Sequence, residues 1–136
     1  MSFERTPGET QSGFTFRSPL YWLTAAFAAG IAAIGLLALL VPIHAASMFG
    51  VPVKSVDAAS WVRIAGVRDI AYGAVMGSLL AFREKRAAGL LILLSIIIPA
   101  GDAFSVLAAT GMCFQVFFHG SSVIFMAVLG IFLLRR

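Results

Sequence analysis

Residues 87–134 read AAGLLILLSIIIPAGDAFSVLAATGMCFQVFFHGSSVIFMAVLGIFLL, with Asp102 and His119 the only ionisable side chains besides the lone thiol of Cys113. The run is about twice the length needed to cross ~30 Å of hydrocarbon at ~1.5 Å per residue. A break must therefore fall near its middle. Thr110-Gly111-Met112 supplies one, because glycine accepts the left-handed backbone that ends many helices. Two antiparallel spans result, about 87–110 and 113–134.

Working outward, two more apolar stretches are long enough to span, about 19–43 and 60–82. The chain of 136 residues is 60% hydrophobic and 12% charged, about half the charged fraction of a soluble domain. The predicted class is all-α, an integral membrane four-helix bundle formed by 19–136, with residues 1–18 as a flexible tail. Pro19 suits a helix start, and Tyr21-Trp22 fit an interfacial aromatic belt. Phe14 and Phe16 are expected to touch the membrane surface. The first span is rich in Ala and Gly, a packing helix that lets neighbours approach closely. Ala45-Ala46-Ser47 has the small residues of a signal-peptide cleavage site. The preceding apolar run is too long for a signal-peptide core and follows a polar tail, which favours an uncleaved helix.

The formal charge of +4 does not point to nucleic acid, because seven of the ten basic residues are Arg5, Arg17, Arg83, Lys85, Arg86, Arg135 and Arg136. With four spans these fall on one side of the membrane. The positive-inside rule then predicts that both termini are cytoplasmic, with the bilayer as the partner of these cations. Cys113 stands alone, so no internal disulfide is available, and its neighbours predict an ordinary buried thiol. Between the first two spans, Phe49-Gly50-Val51-Pro52 is apolar enough to lie on, or dip into, the outer surface. Asp57 is expected to cap the second span.

Function is expected where charge interrupts the apolar spans. An ionisable side chain deep in a bilayer costs a few kcal/mol or more, and it usually faces the bundle interior, a cavity or a partner. On the second span Gly66, Asp69, Gly73 and Gly77 share one helical face. Gly73 and Gly77 form a small-residue pair suited to a homodimer. Arg68 is rotated about 100° from Asp69, in line with Tyr72. On the third span Ser95, Pro99 and Asp102 share a face, and Pro99 removes the donor for the Ser95 carbonyl. On the fourth, Gln115, His119 and Ser122 form a third polar stripe. Counted from the outer ends, Asp69, Asp102 and His119 fall in the outer half of the bundle with His44 near its mouth, while the cytoplasmic half is apolar.

Gly66-Val67-Arg68-Asp69-Ile70-Ala71-Tyr72-Gly73 resembles the Gly-x-Arg-Asp-x-x-x-Gly signature of small four-helix membrane proteins, mainly fungal and bacterial, grouped as a domain of unknown function. Pro42, Phe49-Gly50-Val51-Pro52, Asp102 and His119 are similar too. The resemblance runs from Leu23 to Leu133. It implies a four-helix membrane fold and no particular activity.

Three functional classes fit these residues. In the first, Asp69 and Asp102 are acid and base toward a small lipophilic molecule, in an isomerisation, hydration or cyclisation. His119 relays a proton, and Arg68, Tyr72, Ser95, Gln115, Ser122 and His44 bind the ligand. One Arg cannot neutralise two deep carboxylates, so one of them is expected to hold or share a proton. The second class is a proton-coupled transporter. Small four-helix multidrug exporters are of similar size but use a carboxylate in their first span, which this chain lacks. The third is a noncatalytic accessory subunit, in which Arg68 simply pairs with Asp102 between helices. No metal-ligand spacing, phosphate loop or dinucleotide fingerprint is present, so neither a metal nor a cofactor is expected.

Overall fold

The computed structural model describes residues 14–135. The expectations for the first 13 residues, including Arg5, and for Arg136 lie outside the described residues. Six helices follow in order: α1 Pro19–Leu40, α2 Pro42–Phe49, α3 Val56–Ala81, α4 Lys85–Leu94, α5 Ile97–Thr110 and α6 Phe114–Leu134. Four units are long and apolar enough to cross a membrane: α1, α3, the broken pair α4–α5, and α6.

Local chemistry sets each boundary. Pro19 opens α1, and Val41 leaves helical geometry ahead of Pro42, which opens α2, as the clash of a proline ring with the preceding residue requires. The connection between the first two spans is thus partly helical. Gly50 ends α2 at φ 111°, and Gly111 ends α5 at φ 75°, the break expected at Thr110-Gly111-Met112. Ser55, not Asp57, caps α3: its Oγ accepts from the Ala58 N–H at 3.1 Å. The α3 helix begins at Val56, which makes Ser55 the N-cap and leaves Asp57 in the first turn. There its charge still suits the positive helix end.

The third span is broken at Ser95–Ile96. Pro99 withholds an N–H from Ser95, yet that carbonyl is not left free. It accepts from the Ile98 N–H at 3.0 Å, a tighter turn that satisfies the orphaned acceptor locally. The expectation of a free Ser95 carbonyl is corrected accordingly.

α1 packs along α3, while α4 and α5 pack along α6. The α1–α3 seam is close because glycines line it. A Cβ on Gly35 would sit 2.5 Å from the Gly66 carbonyl oxygen, and one on Gly73 would sit 2.8 Å from the Ala32 Cβ. Gly73 therefore faces α1 of its own chain rather than a second copy, while Gly77 borders open space. At the other pair, a Cβ on Gly89 would meet the Gly130 carbonyl oxygen at 3.1 Å.

Both described termini and the α3–α4 turn lie at one end. Lys85 Nζ donates to the Arg135 carbonyl at 2.8 Å, and the Arg83 guanidinium lies over the Phe16 ring. The half of the bundle next to this end is filled by Met76, Leu80, Ala88, Ile92, Leu129 and Leu133, all buried. Phe14 joins them at 1% exposure, its ring 5.4 Å from Tyr21. The packed structure thus begins ahead of Pro19, and the segment just before α1 is not a loose tail. Trp22 Nε1 donates to the Phe16 carbonyl at 2.8 Å. Phe14, Phe16, Tyr21 and Trp22 form one aromatic cluster, in which Phe14 and Tyr21 are buried and the exposed Phe16 and Trp22 suit a membrane interface.

Candidate functional site

The opposite half, here termed distal, holds the ionisable residues. Asp69 projects from α3 beside the glycine seam, its Cβ 2.8 Å from where a Gly35 side chain would begin. Asp102 projects from α5, and the two carboxyls lie within electrostatic reach of each other. Asp102 is also within reach of His119 on α6. Asp69, Asp102 and His119, expected in the outer half on three spans, all lie in this distal half. Both carboxylates are half-buried and His119 is buried.

α3 and α5 do not pack closely along their length, so Asp69 and Asp102 face each other across a loose seam. Tyr72 and Ser95 lie at the inner end of this seam. Ser95 is buried at the α4–α5 break and faces the Tyr72 hydroxyl, but the two do not complete a hydrogen bond, and that hydroxyl is buried without a partner. A buried, unsatisfied hydroxyl costs about 1–3 kcal/mol. Among the described residues the Tyr72 O–H therefore has no acceptor.

Arg68 departs from the ion pair expected with Asp102. Its side chain is exposed, and among the described residues it has no ion pair or side-chain hydrogen bond. Arg68 and Tyr72 are one turn apart on the same line of α3, and Tyr72 faces the α4–α5 break. Arg68 is flanked along α3 by the exposed Ile64, Ala65, Ala71 and Val75, so its side chain leaves the packed face of the helix.

His119 is tied to the chain connecting α2 and α3. Its Nε2 lies 3.1 Å from the Phe49 carbonyl oxygen, and its ring centroid is 4.5 Å from that of Phe49. A carbonyl can only accept, so Nε2 carries the proton and, in the neutral ring, Nδ1 is the accepting nitrogen. Beside it Gly50 is wedged between α5 and α6: a Cβ there would meet Val106 Cγ1 and Gln115 Cβ, both at 2.9 Å. Gly50 and the His119–Phe49 contact thus seat the connection against α5 and α6 at the distal end, while Phe49 and Pro52 stay exposed.

The remaining candidates are more dispersed. Gln115 is half-buried against Gly50. Ser122 Oγ donates back to the Phe118 carbonyl at 3.0 Å, which occupies its proton. His44 is exposed on α2 and lines a separate cavity with Lys54 and Arg63. Among the described residues no three His, Cys, Asp or Glu side chains converge as metal ligands would. Sequence reasoning missed the part played by Gly35 in seating Asp69, and by Gly50 in seating the connection. For Gly35 the usable signal was a glycine in the middle of an apolar helix, where it costs about 1 kcal/mol against alanine and so implies close packing.

Cys113 offers a handle on orientation. It is half-buried at the N-cap of α6, with its Sγ 3.6 Å from Thr110 Oγ1. Hydrogen bonds from Thr110 and from the Val116 N–H hold the thiol below its ordinary value. A lowered thiol gives more thiolate at any pH below that value, so maleimide labelling begins at lower pH than for a free cysteine. Thr110→Ala is expected to move that profile upward. With cytoplasmic termini, an impermeant maleimide added to intact cells labels Cys113. Labelling only after permeabilisation would reverse the orientation.

Fold and cluster together define the class: a small four-helix integral membrane protein with a polar cluster inside its bundle. Within that class, residues 28–133 match the family DUF4267, a domain of unknown function, and the chain belongs to it. No curated protein and no solved structure matches the chain.

Proposed function

We propose that this protein binds, and by acid–base chemistry converts, a small lipophilic molecule with an anionic or strongly polar head, entering from the bilayer between α3 and α5. The observation that carries the reading is Arg68, a permanent cation near the middle of a membrane-length helix with no ion pair or side-chain hydrogen bond among the described residues. Such a charge is costly in hydrocarbon unless something neutralises it, and guanidinium grips carboxylate or phosphate in a two-point fork.

With the head on Arg68, the adjoining part of the ligand meets Asp69 and Asp102. Like-charged carboxyls in mutual reach favour one shared proton, which suits one as acid and the other as base. His119, its Nε2–H committed to Phe49, has Nδ1 left to take a proton from Asp102. Tyr72 supplies a further O–H, and Ser95, Gln115 and Ser122 complete the polar wall.

Two rivals remain testable. Transport finds no support in the dry apolar core that fills the other half of the bundle. An accessory role is favoured by one observation, the His119–Phe49 bond, since a histidine satisfied in this way needs no ligand. The discriminating experiment uses a photoreactive long-chain carboxylic acid, its alcohol analogue and purified protein. The acid is expected to label residues of α3 and α5, with labelling about tenfold weaker for the alcohol and for Arg68→Gln, a loss of ~1.4 kcal/mol. Equal labelling in all three cases would favour the accessory subunit.

A further inference from the structure

A cavity of about 590 Å³ opens at the distal end, between the end of α1, the start of α2 and the first turns of α3. Three of its lining residues are basic or can become so: His44, Lys54 and Arg63. All three are exposed. Among the described residues neither Lys54 nor Arg63 is held in an ion pair or side-chain hydrogen bond. The only carboxylate between Val41 and Arg63 is Asp57, which is not part of the wall. The positive end of α3, a 26-residue helix, opens beside it. Apolar Val41 and Val56 complete the lining, so cations and hydrocarbon meet in a single concavity.

That pairing fits an amphiphile better than a soluble anion. At this end of α1 and α3, a head group can rest between Lys54 and Arg63 while its acyl chains run down the apolar helix surface. The site differs from the α3–α5 seam, because Arg63 lies five residues before Arg68. That offset is about 140° around the helix and ~7.5 Å along it. We propose that the cavity holds the phosphate head of an anionic membrane phospholipid. The lipid anchors the α1–α2 corner and the start of α3 at the membrane surface.

The test is native mass spectrometry of the full chain in neutral detergent, with phosphatidylglycerol or phosphatidylcholine added at equal amounts. Phosphatidylglycerol is expected to be retained preferentially by the wild type. In Lys54→Gln/Arg63→Gln retention is expected to fall about 10- to 30-fold, from the loss of two cations near the membrane surface. Both residues are exposed, so helicity by circular dichroism should be unchanged. Arg68→Gln should leave retention intact, which separates this site from the seam. Inorganic phosphate provides the second arm: if it displaces the lipid at matched concentration, the ligand is a soluble phosphate and the lipid assignment fails. Equal retention of both lipids, or an unaffected double variant, would also overturn it.

Discussion

Gly35→Ala is expected to destabilise the bundle by about 2–3 kcal/mol, toward the upper end of overpacking costs. The added methyl would lie 2.5 Å from the Gly66 carbonyl oxygen and 2.8 Å from the Ile70 nitrogen. These are backbone atoms and cannot swing aside as a flexible side chain can, so α1 and α3 must move apart. The third neighbour is the Asp69 Cβ, also at 2.8 Å, so the same substitution displaces one carboxylate of the cluster. Gly66→Ala meets the Gly35 carbonyl oxygen at 2.5 Å and should behave alike. Gly30 and Gly77 border open space, where alanine is expected to be neutral or to add up to ~1 kcal/mol through helix propensity. Denaturant-induced unfolding in detergent micelles measures all four. If Gly35→Ala and Gly30→Ala unfold alike, the seam is looser than described and does not position Asp69.

His119→Ala is expected to cost about 2–4 kcal/mol. It strands the partly buried Phe49 carbonyl, a penalty of up to about 1–3 kcal/mol, and removes the buried imidazole packed beside the Phe49 ring. The loss should be local before it is global. Hydrogen exchange is expected to accelerate first at Gly50, Val51 and Val53, the amides that follow Phe49 in the connection. Gln at position 119 retains a donor and should restore part of the protection. If exchange at these amides is unchanged in His119→Ala, the connection is held by Gly50 alone, and His119 does not tie it to the cluster.

The membrane bundle was legible because its signals are long and redundant. The apolar run of residues 87–134 can fold only as two crossings, and Gly111 is the one glycine near its centre placed to end a helix. That Asp69, Asp102 and His119 all fall in the distal half follows from position along each span, since rise per residue fixes that whatever the packing. Lateral spacing was not legible. Nothing in the residues around Arg68 says that α3 and α5 make little direct packing, so an ion pair with Asp102 was the economical expectation, whereas Arg68 is exposed and has no ion pair among the described residues. The helix cap moved from Asp57 to Ser55 because α3 starts ahead of its apolar run. Caps depend on backbone position and not on hydropathy. The Ser95 carbonyl was misjudged because a proline removes a specific donor, while the chain can tighten locally to find another. Gly50 shows the same limit: its turn was readable as a glycine, but not the wedge between Val106 and Gln115.

The central claim is that Arg68 and the Asp69–Asp102–His119 cluster form one site that takes a ligand from the bilayer. Native mass spectrometry of the protein purified gently from its membrane tests it most directly, followed by identification of whatever is released. The expected result is an anionic lipophilic species carried by the wild type and depleted about tenfold in Arg68→Gln, with helicity unchanged and any phospholipid held at the Lys54–Arg63 cavity unaffected. Wild type and Arg68→Gln carrying the same species in the same amounts would contradict the claim and leave the cluster as packing between helices.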